Sequence, residues 1–170
     1  MKRMKHYIAA MAALFSVATL HADEATAAPA PAETAPAVTA YLNSAAFLTG
    51  QPMSDAQYYI YIYSASWCGP CRALMPKVVA QYPEMKANKV EIILISCDRV
   101  AEIAKNYIEH YKADIPGLHV SSQAAQKLPS GINPRGIPYA IIVDANGKVL
   151  SKGHGHIALQ WKEVCKPAQK

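Results

Sequence analysis

Ser64-Ala65-Ser66-Trp67-Cys68-Gly69-Pro70-Cys71-Arg72 is the stretch that decides how this 170-residue chain is read. It follows Tyr58-Tyr59-Ile60-Tyr61-Ile62-Tyr63, a dense run of aromatic and β-branched residues expected of a central strand buried on both faces. A helical stretch is expected from Cys68 to Asn88. Two cysteines separated by two residues at a helix start can close a disulfide across one turn. The first sits where backbone N–H groups without partners and the helix dipole favour an anion. That lowers a thiol from about 8.5 toward about 7, so part of it is thiolate at neutral pH. Cys68 can then attack a substrate disulfide, and Cys71, one turn further in, can displace the product. Gly69-Pro70 makes a stiff turn, and Trp67 offers a flat apolar surface beside the sulfur. A structural zinc site would need a second ligand pair, and Cys97 and Cys165 lack that spacing. A purely structural staple would gain little from closing so short a loop. Redox chemistry is the reading that remains.

Outward from this stretch the chain alternates strand and helix signals. Val90 to Ser96 reads as a second buried strand, and Ala101 to Lys112 as a helix carrying Ile103, Ala104, Tyr107, Ile108 and Tyr111 on one side. Tyr139 to Val143 is a third strand, Asp144-Ala145-Asn146-Gly147 a hairpin turn, and Lys148 to Lys152 a fourth strand. His156 to Lys166 is expected to close the chain as a helix. This order implies an α/β sandwich with a mixed central sheet flanked by helices. The Tyr58, Tyr59, Tyr61 and Tyr63 side chains are most simply strand core.

With these elements placed, residues from about 45 to 166 resemble the thioredoxin superfamily. Trp67-Cys68-Gly69-Pro70-Cys71 is the active-site sequence of thioredoxin itself. Pro76 matches the proline that kinks that family's active-site helix, and Gly136-Ile137-Pro138 matches its cis-proline turn. Gly147 and Gly155 fall where thioredoxins place a hairpin glycine and a glycine near the active site. Tyr63 to Cys68, and the long connection from Ala101 to Ile132, look more like the tryparedoxin–nucleoredoxin branch and exported TlpA-like proteins. The resemblance implies a thioredoxin-like three-layer sandwich. It also implies Cys68 as nucleophile and Cys71 as resolving thiol, closing a redox-active disulfide. Trp67, Gly69, Pro70, Ile137 and Pro138 would meet an extended substrate segment.

Two departures stand out. Thioredoxins carry a buried aspartate six residues before the first cysteine; here that position is Ile62. The lysine that accompanies it corresponds to Leu94. Both are missing together, which leaves an apolar floor and sends the Cys71 proton to water or another group. Cys97, at the end of the second strand, is either an auxiliary thiol at the active-site edge or a small buried apolar residue. Cys165 lies well into the last helix, about 13 Å from that edge, and reads as structural. His154 and His156, flanking Gly155, could tune Cys68, shuttle protons or help hold copper or zinc; the plainer reading is a solvated loop.

Composition bounds the rest. The chain is 52% apolar, with 17 Lys+Arg against 12 Asp+Glu and a net charge of +5. Lys2, Arg3 and Lys5 account for three of those cations, leaving 14 against 12 from residue 23 onward. The charges form no run or stripe, so a nucleic-acid partner is not expected. Residues 1–22 read as a signal peptide: a basic start, then a largely apolar run fourteen residues long from Tyr7 to Leu20, short of the about 20 needed to span a bilayer. Residues 23–40, rich in Ala, Pro and Thr, read as an extended tether, and 41–170 as the thioredoxin-like domain. Export by the signal peptide implies a periplasmic location, with no permanent membrane span after cleavage. No flavin or nucleotide site is visible, and Arg72 stands where a haem attachment would place histidine, so no cofactor or metal is expected. The whole reading is an exported thiol–disulfide oxidoreductase acting on protein disulfides and fed by a membrane-bound electron donor. The alternatives are a disulfide oxidase or isomerase, and a copper or zinc metallochaperone using Cys68, Cys71 and a loop histidine.

Overall fold

β1 (Tyr58–Ser64) occupies the centre of a five-stranded mixed sheet in the computed structural model, which describes residues 37–166. The expected signal peptide and most of the expected tether lie outside those residues. β2 (Val90–Ser96) runs parallel to β1, with Tyr58 opposite Val90 and Ser64 opposite Ser96. β3 (Gly117–His119) lies parallel beyond β2, while on the other side β4 (Tyr139–Asp144) runs antiparallel to β1 and β5 (Val149–His154) antiparallel to β4. Helices on both faces complete the expected three-layer sandwich. Among the described residues, no helix is long and apolar enough to cross a membrane.

Alternation along β1 divides the core in two. Ile60 and Ile62 point to one face, with Ile92 and Leu94 of β2 and Ala140 and Ile142 of β4. They meet α2 (Gly69–Ala87) through Leu74, Met75 and Val78. Ile62 and Leu94 are direct partners in the register and fully buried, so the apolar floor is continuous. Tyr59, Tyr61 and Tyr63 point to the other face, against Val38 and Leu42 of α1 (Ala37–Ser44). The tyrosines are core, and two of their hydroxyls are satisfied: Tyr59 shares a 2.7 Å hydrogen bond with Thr39 Oγ1, and Tyr63 accepts the Ile132 N–H at 2.9 Å. The Tyr61 hydroxyl is buried without a partner.

Several boundaries depart from expectation, each for a packing reason. α1 begins within the last four residues of the stretch read as tether, because Val38, Thr39 and Leu42 share one buried face despite the Ala-rich composition. α3 (Ala101–Glu109) stops short of Lys112, whose φ is +51°, as the chain reverses to bury Ile115 ahead of β3. On that helix Ala104, Tyr107 and Ile108 are buried, but Ile103 faces solvent. The connection before Pro138 holds β3 and α4 (Gln123–Gln126), neither expected. β5 extends to His154 rather than Lys152. The last helix splits into a 3₁₀ segment (Gly155–Gln160) and α5 (Trp161–Val164). Burial at Gly155, Ala158 and Trp161 has a spacing of three, which suits a 3₁₀ turn, and the step to Cys165 is four.

Cys165 is 1% exposed in the α2-side core, consistent with a structural role, and burial pushes its thiol up to about 12. Its stabilising contribution is whole below the ordinary thiol value of 9.0 and is lost as pH rises toward 12, because the unfolded chain releases the proton first. Between pH 8 and 10.5 the protein should lose about 1–2 kcal/mol more stability than Cys165→Val, read from urea melts across that range. Equal losses would show that another group governs alkaline unfolding.

Candidate active site

Cys68 caps the N-terminus of α2. Its backbone is extended, and its Sγ accepts the Cys71 N–H at 3.3 Å, so the sulfur takes the place a capping oxygen usually fills. Pro70 in the first turn needs no hydrogen-bond partner there. Cys68 and Cys71 form a disulfide with Cα atoms 5.2 Å apart. Cys71 is fully buried and Cys68 is 6% exposed, while Trp67 beside them is 65% exposed. Gly69 and Pro70 are exposed next to Trp67.

The Ile137–Pro138 bond is cis, and the Ile137 carbonyl oxygen lies 3.8 Å from Cys68 Sγ. Ile137 and Cys97 pack against the cluster of Ala65, Cys68 and Cys71. Gly155 sits under this loop: its N–H donates to the Pro138 carbonyl at 2.9 Å. Cys97 is therefore beside the redox pair and half-buried. Burial, reinforced by the Asp98 carboxylate, pushes its thiol above the ordinary range.

Asp98 is not among the residues to which the cysteine motif points, yet it holds the loop that presents them. Its buried carboxylate accepts the Ser66 N–H at 3.1 and 3.2 Å, the Ser66 hydroxyl at 2.7 Å and the Ser96 hydroxyl at 2.7 Å. His119 Nε2 lies 2.9 Å from the Asp98 carbonyl oxygen, which braces the end of β3 against the same turn. A carboxylate two residues past an expected strand end, level with the cysteines, is the signal that marks it. Loss of these donors' partner would leave several buried polar groups unsatisfied.

His154 and His156 come together, Nδ1 to Nδ1 at 2.9 Å, on the exposed end of β5. Their rings are nearly coplanar, 16° apart with centroids 4.9 Å apart, so one imidazole donates a hydrogen bond to the other edge to edge. Among the described residues, no group of three or more His, Cys, Asp and Glu side chains is placed to hold a metal ion.

The thioredoxin-like family model matches residues 55–149, more than half of the chain. The chain belongs to the thioredoxin-like family. Nucleoredoxin of Xenopus laevis is 38% identical to it over 100 residues, covering 55% of this chain and 23% of that protein. Thiol-disulfide oxidoreductase ResA of Bacillus cereus is 30% identical over 87 residues, covering 51% of this chain and 49% of that protein. The chain thus spans about half or less of the curated relatives it matches. The crystal structure of thioredoxin from Wuchereria bancrofti superposes with a TM-score of 0.54 at 27% identity, covering 61% of this chain and 72% of that one. These relatives match the branch to which the motifs point, and the thioredoxin-like domain places Cys68, Cys71 and Pro138 on one edge of its sheet.

Proposed function

We propose that this thioredoxin-like chain is an exported, periplasmic thiol–disulfide oxidoreductase that transfers two electrons to protein disulfides. The single observation that carries the reading is the Cys68–Cys71 disulfide at the N-terminus of α2, with Cys68 keeping 6% exposure beside exposed Trp67 and Cys71 fully buried behind it. In the reduced protein, backbone N–H groups at the helix start favour negative charge on Cys68 Sγ. That thiolate attacks one sulfur of a substrate disulfide, bonds to it and expels the other substrate sulfur, which leaves as a thiolate and takes up a proton. Cys71 then gives up its proton and attacks Cys68 Sγ. The mixed disulfide breaks, the second substrate sulfur leaves as a thiol, and the Cys68–Cys71 disulfide forms. With Ile62 and Leu94 making the floor apolar, that proton goes to water or another group.

A dithiol donor must return two electrons for another cycle. In an oxidising compartment that donor is a membrane-bound reductant, because the soluble pool there does not supply dithiol electrons. Trp67, Gly69, Pro70 and Ile137 form the surface an extended substrate strand would meet. The cis Pro138 is buried behind Ile137 and sets its backbone rather than offering a surface of its own, and Cys97 is an auxiliary thiol beside the pair. The deciding experiment is the equilibrium reduction potential of the Cys68/Cys71 couple against a glutathione or dithiothreitol buffer. Gly-Pro between the cysteines sets the expectation at the reducing end, below about −250 mV. A value above about −180 mV would reverse the direction and make the protein an oxidase or isomerase.

A further inference from the structure

The distribution of arginine over the fold is not that of lysine. All three arginines of the described residues stand at the sheet edge that carries the cysteines. Arg72 follows Cys71 in the first turn of α2, Arg99 follows Asp98 just past the end of β2, and Arg135 lies three residues before the cis Pro138. Each is exposed. The ion pairs among the described residues use lysines, Lys89, Lys105 and Lys162, and none of the arginines. Carboxylates are scarce at this edge. Asp98 is buried with both oxygens committed to Ser66 and Ser96, and Glu102 at the start of α3 is the other. Asp55, Asp114 and Asp144 lie beyond the opposite ends of the strands, ahead of β1, ahead of β3 and at the end of β4.

The same edge is apolar where the arginines are not. A groove of about 400 Å³ runs between Trp67 and the segment from Asn133 to Ile137, with Cys97 and Val120 in its wall and Arg135 on its rim. On the other side of the cysteines, Arg72 borders a second groove with Ser66, Tyr107 and Tyr111. Val100 and Ile103, beside Arg99, are 51% and 46% exposed. An apolar track flanked by planar guanidinium groups fits an extended chain whose apolar side chain lies on Trp67 and whose carboxylates meet the arginines. Guanidinium forks pair with carboxylates in a two-point geometry that an ammonium does not offer.

We propose that this edge selects protein disulfides whose cysteine is flanked by aspartate or glutamate, with Arg72, Arg99 and Arg135 as the specificity-determining contacts. The proposal rests on the oxidoreductase reading above and names its substrate class. The partner is a disulfide-bearing, acidic segment of another protein.

Three disulfide-linked fluorogenic peptides test it, identical except for three Glu, three Gln or three Lys around the cysteine. The reduced protein should react in the order Glu, Gln, Lys. The expected Glu-to-Lys ratio of second-order rate constants is about tenfold at low ionic strength, shrinking toward about twofold at 0.5 M salt as exposed charges are screened. Arg99→Gln and Arg135→Gln should each reduce the Glu-to-Gln ratio by about twofold. Lys148→Gln, on the hairpin at the far end, should leave that ratio where it is. Equal rates for the three peptides overturn the proposal and leave the oxidoreductase reading intact. A Glu preference that survives all three arginine substitutions is an effect of net charge and overturns it as well. Failure to reduce any peptide, together with failure on neutral hydroxyethyl disulfide, would overturn both the proposal and the reading beneath it.

Discussion

Cys68→Ser should bring disulfide exchange down to the uncatalysed background, whereas Cys71→Ser should carry out the first half of the reaction and stop there. A serine hydroxyl at position 68 cannot form the mixed disulfide. At position 71 serine leaves the attacking sulfur in place but removes the group that releases it. The asymmetry follows from placement: Cys68 caps the helix start and retains a little exposure, and Cys71 is fully buried behind it. Mass spectrometry of Cys71→Ser after one turnover should find the protein heavier by one substrate chain, and reductant should reverse this. Cys97 packs against the same cluster and is the one thiol placed to resolve the adduct in that variant. Its thiol is pushed up by burial and by Asp98, so at pH 7 it stays protonated and the adduct persists. Release should accelerate as pH rises toward that thiol's range, and Cys71→Ser with Cys97→Ala should abolish the acceleration. Adduct accumulation in Cys68→Ser instead of Cys71→Ser would exchange the two roles.

Gly155→Ala should cost about 2–3 kcal/mol of stability and slow exchange in the molecules that remain folded. A β-carbon at this position would lie 2.6 Å from Leu74 Cδ2, 2.7 Å from Pro138 Cβ and 3.1 Å from Pro138 Cγ. Leu74 is buried on α2 and Pro138 is a rigid ring, so neither end of this contact can swing clear. Relief requires moving the Ile137–Pro138 turn away from α2, and that turn carries the carbonyl next to Cys68 Sγ. Gly136→Ala is the control: its β-carbon would meet nothing within 4 Å, and it should change stability by less than about 0.5 kcal/mol. Urea unfolding and single-turnover rates of the two variants separate the outcomes. A Gly155→Ala protein as stable and as fast as Gly136→Ala would show that the turn has room to move.

Most of the scaffold can be read from local pattern. The run from Tyr58 to Tyr63 looks like a two-sided strand because every residue in it is large and apolar at one end, and alternation then sends tyrosines one way and isoleucines the other. The helix beginning after Cys68 announces itself through Gly69-Pro70 in its first turn. Local pattern fails where the deciding contact is distant. Three residues, Gly117 to His119, are too few to show a period, and they become a strand because β2 offers an open edge. The C-terminal helix is 3₁₀ at its start because Gly155, Ala158 and Trp161 must all face one surface. Val38 and Leu42 straddle the boundary of an Ala- and Pro-rich segment, so composition masks the face they share.

The redox pair is legible in local spacing: two cysteines one turn apart, the first at a helix start, with an X-Pro bond available for the turn opposite them. Those are short-range facts, set by the spacing of a helical turn and by which residues lack an N–H or a β-carbon. What surrounds the pair comes from long-range packing. Asp98 clasps the Ser66 loop, Cys97 rests against the disulfide, and Arg72, Arg99 and Arg135 reach one edge because of strand order and register. Burial of the two faces of β1 sets that order and register. No residue in the 64–72 stretch carries information about which loops the finished sheet will bring beside it.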